Sequence, residues 1–378
     1  MKNKIVVALC SMTAVIGAFA GQSEIAKFDS AMAQKFAVVS NGVKWIDGKL
    51  LPIEGRAYSD VDHYYDRLPK NVTTNVNGGV RSMKHHTAGM QFRFSTDSKK
   101  LHFKWIPYFP GLSMDHMPST GMSGIDVYRQ TPDGKWLYVK TGRIWDAKKG
   151  GSLTIPWEPG TPCIVNLPLY NGIRSFALGI DENAAVKALP ARKSGVVKPV
   201  VFYGTSITHG GCCSRPGLAF PSIMGRKIDV PIVNLGFSGS GQGEFEMSEH
   251  IAAVDASCYV IDCLSNMTMA QMKARYENFV RNLRAKRPGV PIVIAESCDV
   301  YCGGGPSAKI KKARNAFARM VYEKLVAEGE RELYFLPSKV QMTDDFEGTV
   351  DSSHPNDWGM MYMADAFGDI VKKALKLQ

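Results

Sequence analysis

The period of the apolar residues changes near residue 195, and that change constrains the fold more than any other feature of the chain. Beyond it, PVVFY (199–203), VPIVNLG (230–236), CYVIDCL (258–264), VPIVIAE (290–296) and ELYFLP (332–337) are short, mostly apolar runs separated by helix-length stretches. Strands apolar on both faces belong inside a parallel sheet that helices cover on either side. Between the last two runs, Pro306 opens a segment in which Ile310, Ala313, Phe317, Val321 and Leu325 keep helical spacing, and Gly329 can close it. Residues 196–378 are therefore predicted to be an α/β unit, a three-layer αβα sandwich around a parallel sheet. In such a sheet, ligand chemistry sits outside the carboxyl ends of the strands.

Before residue 195 the period is two. GMQFRFSTDSKKLHFKW alternates through Phe92, Phe94, Leu101, Phe103 and Trp105 around a polar break, which predicts a half-buried hairpin. GIDVYRQTPDGKWLYVKTG repeats the pattern, with Pro132-Asp133-Gly134 as its turn. Residues 35–195 are expected to form an all-β sandwich, an accessory domain preceding the α/β unit. A chain of 378 residues exceeds what one core usually organises, so two domains fit its length.

The N-terminus reads MKNKIVVALCSMTAVIGAFAGQS: two lysines, an apolar stretch, then Ala18-Phe19-Ala20. This is the pattern of a signal peptide over residues 1–20, and it predicts export to the periplasm or the medium. The stretch falls short of the roughly 20 apolar residues a spanning helix needs, and no later segment is apolar for long enough, so no stable membrane insertion is expected. The formal charge is +11, and losing Lys2 and Lys4 lowers it by two, to +9. The lysines are dispersed or in short runs such as Lys148-Lys149, with no nucleic-acid-binding signature, so no nucleic-acid partner is expected. Removal of Cys10 leaves seven cysteines, an odd number, whose pairing spacing cannot give; a Cys298/Cys302 bridge is one option. Only His209 lies near Cys212-Cys213 in sequence, so no metal site is expected.

Polar residues suited to acyl chemistry fall at the predicted strand ends. Ser206 in GTSITHGG follows the first strand, Gly239 in NLGFSGSG the second, and Asn266 in DCLSNMT the third. Near the C-terminus, DSSHPNDWGM places Asp351 three residues before His354. A serine needs a base to accept its proton, an imidazole suits that task near neutral pH, and a carboxylate can orient the imidazole. Backbone N–H groups at a glycine turn and an Asn amide can meet a developing oxyanion.

These blocks, GTSITHG, NLGFSG, DCLSNM and DSSH, resemble in order the four blocks of the SGNH (GDSL-type) serine hydrolases. The continuation GGCCSRPGLAFPS and the segment Gly124-Ile125-Asp126-Val127-Tyr128 resemble the subgroup carrying an N-terminal GxDLY-type β domain, with valine in place of leucine. The resemblance implies a flavodoxin-like α/β hydrolase domain with Ser206 as nucleophile, His354 as base and Asp351 as its orienter. It implies an oxyanion hole of Ser206 N–H, Gly239 N–H and the Asn266 side chain, and no cofactor. Thr205 stands where many members have aspartate, and Ser265-Asn266-Met267 departs from the commoner third block.

The expectation is an exported esterase that removes small acyl groups, acetyl first, from a carbohydrate or an acylated small molecule. A lipase or lysophospholipase-like acylhydrolase and an inactive glycan-binding protein are the other readings, and the oligomeric state is open. His209 and His116 are candidate substrate-binding residues, the second in the loop HMPSTGMSGIDVY. Glu244 and Glu246 read as solvated loop acids, His85-His86 as a strand-edge pair, and Trp358 as packing the final helix.

Overall fold

A computed structural model describes residues 28–298 and 306–378. The expected signal peptide and Cys302 lie outside the described residues.

The N-terminal region is a β-sandwich. One antiparallel sheet runs, in spatial order, Val38–Ser40, Val43–Asp47, Ile173–Asp181, Lys100–Pro107 and Gly151–Pro156. The other runs Val186–Ala188, Gln91–Thr96, Pro162–Asn166, Ile125–Gln130 and Trp136–Gly142, with Ile53–Glu54 paired on Gln91–Thr96. Phe92, Phe94 and Val127 from one sheet meet Phe103, Trp105 and Phe176 from the other in a single core. Burying each such side chain contributes about 1.5–3 kcal/mol.

Of the two expected hairpins, the second forms: Ile125–Gln130 pairs with Trp136–Gly142, and Gly134 takes the positive φ of +93° that the turn needs. The first does not. Gln91–Thr96 and Lys100–Pro107 go to opposite sheets, because the link between them finds its partners elsewhere: Lys99 N donates to Asp181 Oδ2 at 2.7 Å and Asp181 N donates to Ser98 Oγ at 2.9 Å. Alternation reports one buried face and is silent about which strand lies alongside.

The C-terminal half is the predicted α/β sandwich. Its five parallel strands, Val200–Gly204, Ile232–Gly236, Cys258–Asp262, Ile292–Ala295 and Leu333–Leu336, lie in the spatial order second, first, third, fourth, fifth. This is the flavodoxin-like order, with its switch point between the first and third strands. Val200 and Phe202 face the helices Phe220–Lys227 and Asp357–Leu375. Val201 and Tyr203 face Phe245–Ala253, Glu277–Lys286 and Pro306–Ala327.

Residues 55–84 lie within the stretch expected to be sandwich, yet apart from Tyr64 and Tyr65, which pack with the sandwich core, their buried apolar side chains pack on the α/β side. Ala57, Tyr58, Leu68, Val76 and Val80 join the same core as Val201, Tyr203, Val233 and Leu235. The accessory region thus supplies part of the wall of the α/β unit.

Candidate active site

The first parallel strand ends at Gly204, and Thr205, extended at φ −103°, caps a single helical turn over Ser206–His209 through Ile207 N–H. Gly210 closes the turn at φ +99°. Ser206 is the first residue of this turn, so its N–H has no carbonyl within the helix to bond. The turn lies directly on the second strand: a Cβ on Gly236 would stand 2.3 Å from His209 N, so only glycine fits there. Tyr170 OH, Gly210 N and Gly211 N all donate to Ser206 O, fixing the backbone of the serine.

Beyond the second strand, Phe237 N donates to Gly204 O at 3.0 Å, tying the next turn to the strand that carries Ser206. Phe237 O accepts from Ser240 N, Gly241 N and, at 3.2 Å, Asn266 Nδ2. Gly239 takes φ +65° in this turn with open space beside it. Ser206, Gly239 and Asn266 thus stand at the carboxyl ends of the first, second and third strands, at the switch point.

The segment 349–356 reaches the serine from the other side. Ser206 Oγ lies 2.8 Å from His354 Nε2, and His354 Nδ1 lies 2.8 Å from Asp351 Oδ2. Asp351 Oδ1 also accepts from Ser353 N at 3.0 Å and His354 N at 2.7 Å, so the carboxylate is aimed by its own turn. Burial acts to raise the Asp351 carboxyl, but the backbone and ring hydrogen bonds from His354 outweigh it and hold it below the ordinary value. Ionised Asp351 then requires the proton on His354 Nδ1, which leaves Nε2 free to accept from Ser206 Oγ. Such a chain can pass a proton from serine to imidazole while the serine attacks a carbonyl.

Of the two candidate substrate-binding histidines, His116 stands by the site. It is exposed, in the loop that the sandwich extends between Pro107 and Ile125, and its ring centre is 6.0 Å from that of His354. His209 does not face substrate, which corrects the expectation. Three residues along the helical turn from Ser206, it points inward, is fully buried and stacks on Tyr170 at 4.1 Å. Its Nε2 is 2.8 Å from Leu169 O, 3.2 Å from His86 Nδ1 and 3.4 Å from Arg67 Nη2.

Arg67 has no signal in the sequence, and His86 reads there only as half of a strand-edge pair. Arg67 is fully buried and donates to Asn234 O at 3.2 Å, Gly236 O at 2.7 Å and Met83 O at 2.9 Å, gripping the second strand just ahead of Gly239. Burial pulls its guanidinium down to about 9. Burial first, and then the Arg67 charge, hold both His86 and His209 well below the ordinary imidazole range.

Other expectations are corrected. Glu244 is buried and accepts from Tyr203 OH at 3.3 Å, and Glu246 lies in the helix Phe245–Ala253, accepting from Thr73 N at 2.8 Å; neither is a solvated loop acid. His85-His86 follows the helix Gly78–Met83 and is not on a strand; His85 pairs with Asp66 at 2.8 Å. Trp358 is 52% exposed, because the buried face of the last helix carries Met360, Met363, Phe367 and Val371 instead. Among the described residues Cys163, Cys212, Cys213, Cys258 and Cys263 are free and buried, Cys298 is buried, and no three His, Cys, Asp or Glu residues are grouped to hold a metal.

Residues 197–372 match the GDSL-like lipase/acylhydrolase family. Residues 43–186 match the GxDLY family, the N-terminus of SGNH-hydrolase-type esterases. Among solved structures, a Bacteroides ovatus protein assigned as a GDSL-like lipase is 26% identical with a TM-score of 0.79, over 89% of this chain and 99% of that one. The salicylyl-acyltransferase SsfX3 from a tetracycline biosynthetic pathway is 16% identical with a TM-score of 0.69, over 89% and 98%. A family two carbohydrate esterase from Clostridium thermocellum, in complex with cellohexaose, is 11% identical with a TM-score of 0.54, over 76% and 93%. No curated protein matches the chain.

Proposed function

Because the chain belongs to the GDSL-like lipase/acylhydrolase family, with the N-terminal domain of SGNH-type esterases, we propose that it is a serine esterase that removes small acyl groups, acetyl first, from a carbohydrate after export. The observation that carries the reading is the unbroken chain from Ser206 Oγ to His354 Nε2 and from His354 Nδ1 to Asp351, each contact at 2.8 Å.

In this mechanism Ser206 Oγ attacks the ester carbonyl while His354 Nε2 takes the serine proton. The oxyanion is met by Ser206 N–H, Gly239 N–H and the Asn266 amide. His354 returns the proton to the sugar oxygen as the C–O bond breaks, leaving an acyl-serine. Water then gives a proton to His354, attacks the acyl carbon and releases the carboxylic acid, and Ser206 recovers its proton. Asp351 holds the imidazole in the tautomer these steps require.

Similarity in fold to a carbohydrate esterase supports the carbohydrate class, and the N-terminal leader expected over residues 1–20 supports export to where a glycan would be met. An ester panel tests the reading: nitrophenyl acetate, butyrate and octanoate, then acetylated xylan, xyloglucan and pectin, with release of free acid followed. Acetate release from a polysaccharide is the expected result. Preference for octanoate would favour a lipase, and no hydrolysis with intact polysaccharide binding would favour a glycan-binding protein.

A further inference from the structure

The Gly-x-Asp-x-Tyr segment contributes no atom to the site described above, yet its polar side chains are buried. In the strand Ile125–Gln130, Ile125 and Val127 enter the sandwich core. Asp126 and Tyr128 alternate to the other face, where both are also buried. A carboxylate without solvent must find donors within the protein. Asp126 Oδ1 accepts from Asn166 Nδ2 at 2.8 Å, and Asp126 Oδ2 accepts from Arg215 Nη1 and Gly217 N, each at 2.9 Å. Tyr128 OH contacts Arg215 Nη1 and lies 3.2 Å from Arg226 Nη2, which itself donates to Gly217 O at 2.6 Å.

The fit excludes side chains as well as water. A Cβ on Gly217 would stand 2.6 Å from Tyr128 Cε2 and 2.9 Å from Asn166 Nδ2. Arg215-Pro216-Gly217, from the α/β unit, is thus plugged into a receptor built on a sandwich strand. Just before the plug, Thr120 Oγ1 donates to Ser214 O at 2.6 Å, and Ser214 N donates to Asp357 Oδ1 at 2.9 Å, three residues after His354. At the other end of the same loop, Gly211 N donates to Ser206 O at 2.8 Å. One short loop therefore touches the turn of Ser206, the segment of His354 and the sandwich.

We propose that the strand bearing Asp126 and Tyr128 is a latch, and that Asp126 and Arg215 are positioning residues: by seizing Arg215–Gly217 they hold Ser206 in register with His354. The inference rests on the esterase reading only for its kinetic arm. Its structural arm, the order imposed on residues 206–218, stands independently.

Arg215→Met is the first variant, since the Arg215 side chain is 19% exposed and its removal leaves the core filled. Arg215→Lys and the double variant Asp126→Asn/Arg215→Met complete the set. Each is measured for kcat and KM on nitrophenyl acetate, for the rate of fluorophosphonate labelling at Ser206, for hydrogen exchange over residues 206–218, and for cooperative thermal unfolding. Arg215→Met should unfold cooperatively, lose about tenfold to a hundredfold in kcat with little change in KM, and label more slowly by the same factor. Exchange over 206–218 should quicken, and Arg215→Lys should recover most of the loss. The double variant should be little worse than the single, because the two residues act as a unit. A folded Arg215→Met with native kcat and native exchange overturns the latch, as do losses that multiply in the double variant. If the native protein is neither active nor labelled at Ser206, the esterase reading fails, and exchange over 206–218 still decides the latch.

Discussion

The ring of His116 stands 6.0 Å, centre to centre, from the ring of His354, although the first belongs to a loop of the sandwich and the second to the C-terminal segment. The loop reaches that far because Met117 is buried in the core of the α/β unit, while His116 beside it stays exposed at the rim. Under the proposed esterase reading, His116 would meet the part of a substrate that extends beyond the reacting ester. His116→Ala should lower activity on acetylated polysaccharide by at least about fivefold, while activity on nitrophenyl acetate changes little. Equal losses on both substrates would assign His116 to packing.

Ser206→Ala should fold and lose turnover by about five to six orders of magnitude, since removal of the attacking oxygen leaves only binding and the oxyanion donors. Circular dichroism and a thermal melt confirm the fold, and acid release from nitrophenyl acetate reads the loss. A folded variant that keeps native turnover ends the acyl-serine mechanism.

Asn266 presents one N–H to Phe237 O at 3.2 Å, a long contact that leaves the amide able to serve the reaction. Asn266→Ala should reduce kcat by about a hundredfold to a thousandfold. A drop of less than about fivefold would remove Asn266 from the oxyanion hole.

The histidines behind the serine predict a pH effect on stability. His86 and His209 are held neutral by burial and by the Arg67 cation, whereas in the unfolded chain each titrates near about 6.5. The unfolded chain then binds more protons, so this stability is complete above about pH 6.5 and is lost as the pH falls below it. Two such groups give a slope approaching about 2.7 kcal/mol per pH unit. Denaturant melts from pH 7.5 to 5 measure it, and His86→Gln should remove about half of the slope. An unchanged slope would mean that these histidines take up protons without unfolding.

That the residues of the candidate site would come together was legible in the chain, and for a physical reason. A parallel sheet gathers the ends of its strands, so polar residues after separate apolar runs converge whatever the distances between them in sequence. Ser206, Gly239 and Asn266 are such residues, and Asp351 and His354 are near enough in sequence to meet in one turn. His209 was misread because nearness to Ser206 in sequence says nothing of the direction a helical turn gives it. Arg67 was silent because it comes from residues 55–84, which carry no sheet periodicity, and its own partners Asn234 O and Gly236 O lie far along the chain in the α/β unit. The crossing of Thr96 to Lys100 between sheets was equally hidden, since both strands present one apolar face to one core.

The placement of residues 55–84 against the parallel sheet also governs how the chain must come together. Synthesis delivers this segment early, yet Leu68, Val76 and Val80 have nothing to pack on until the strands containing Val201 and Val233 exist. Contacts so distant in sequence make for slow folding, because a long loop must close before they form. In the interval the nascent chain carries an unclaimed apolar stretch, the kind of surface that chaperones bind and that aggregates when they are absent. A fragment beginning at residue 196 would carry the complementary fault: its sheet would fold with one flank bare.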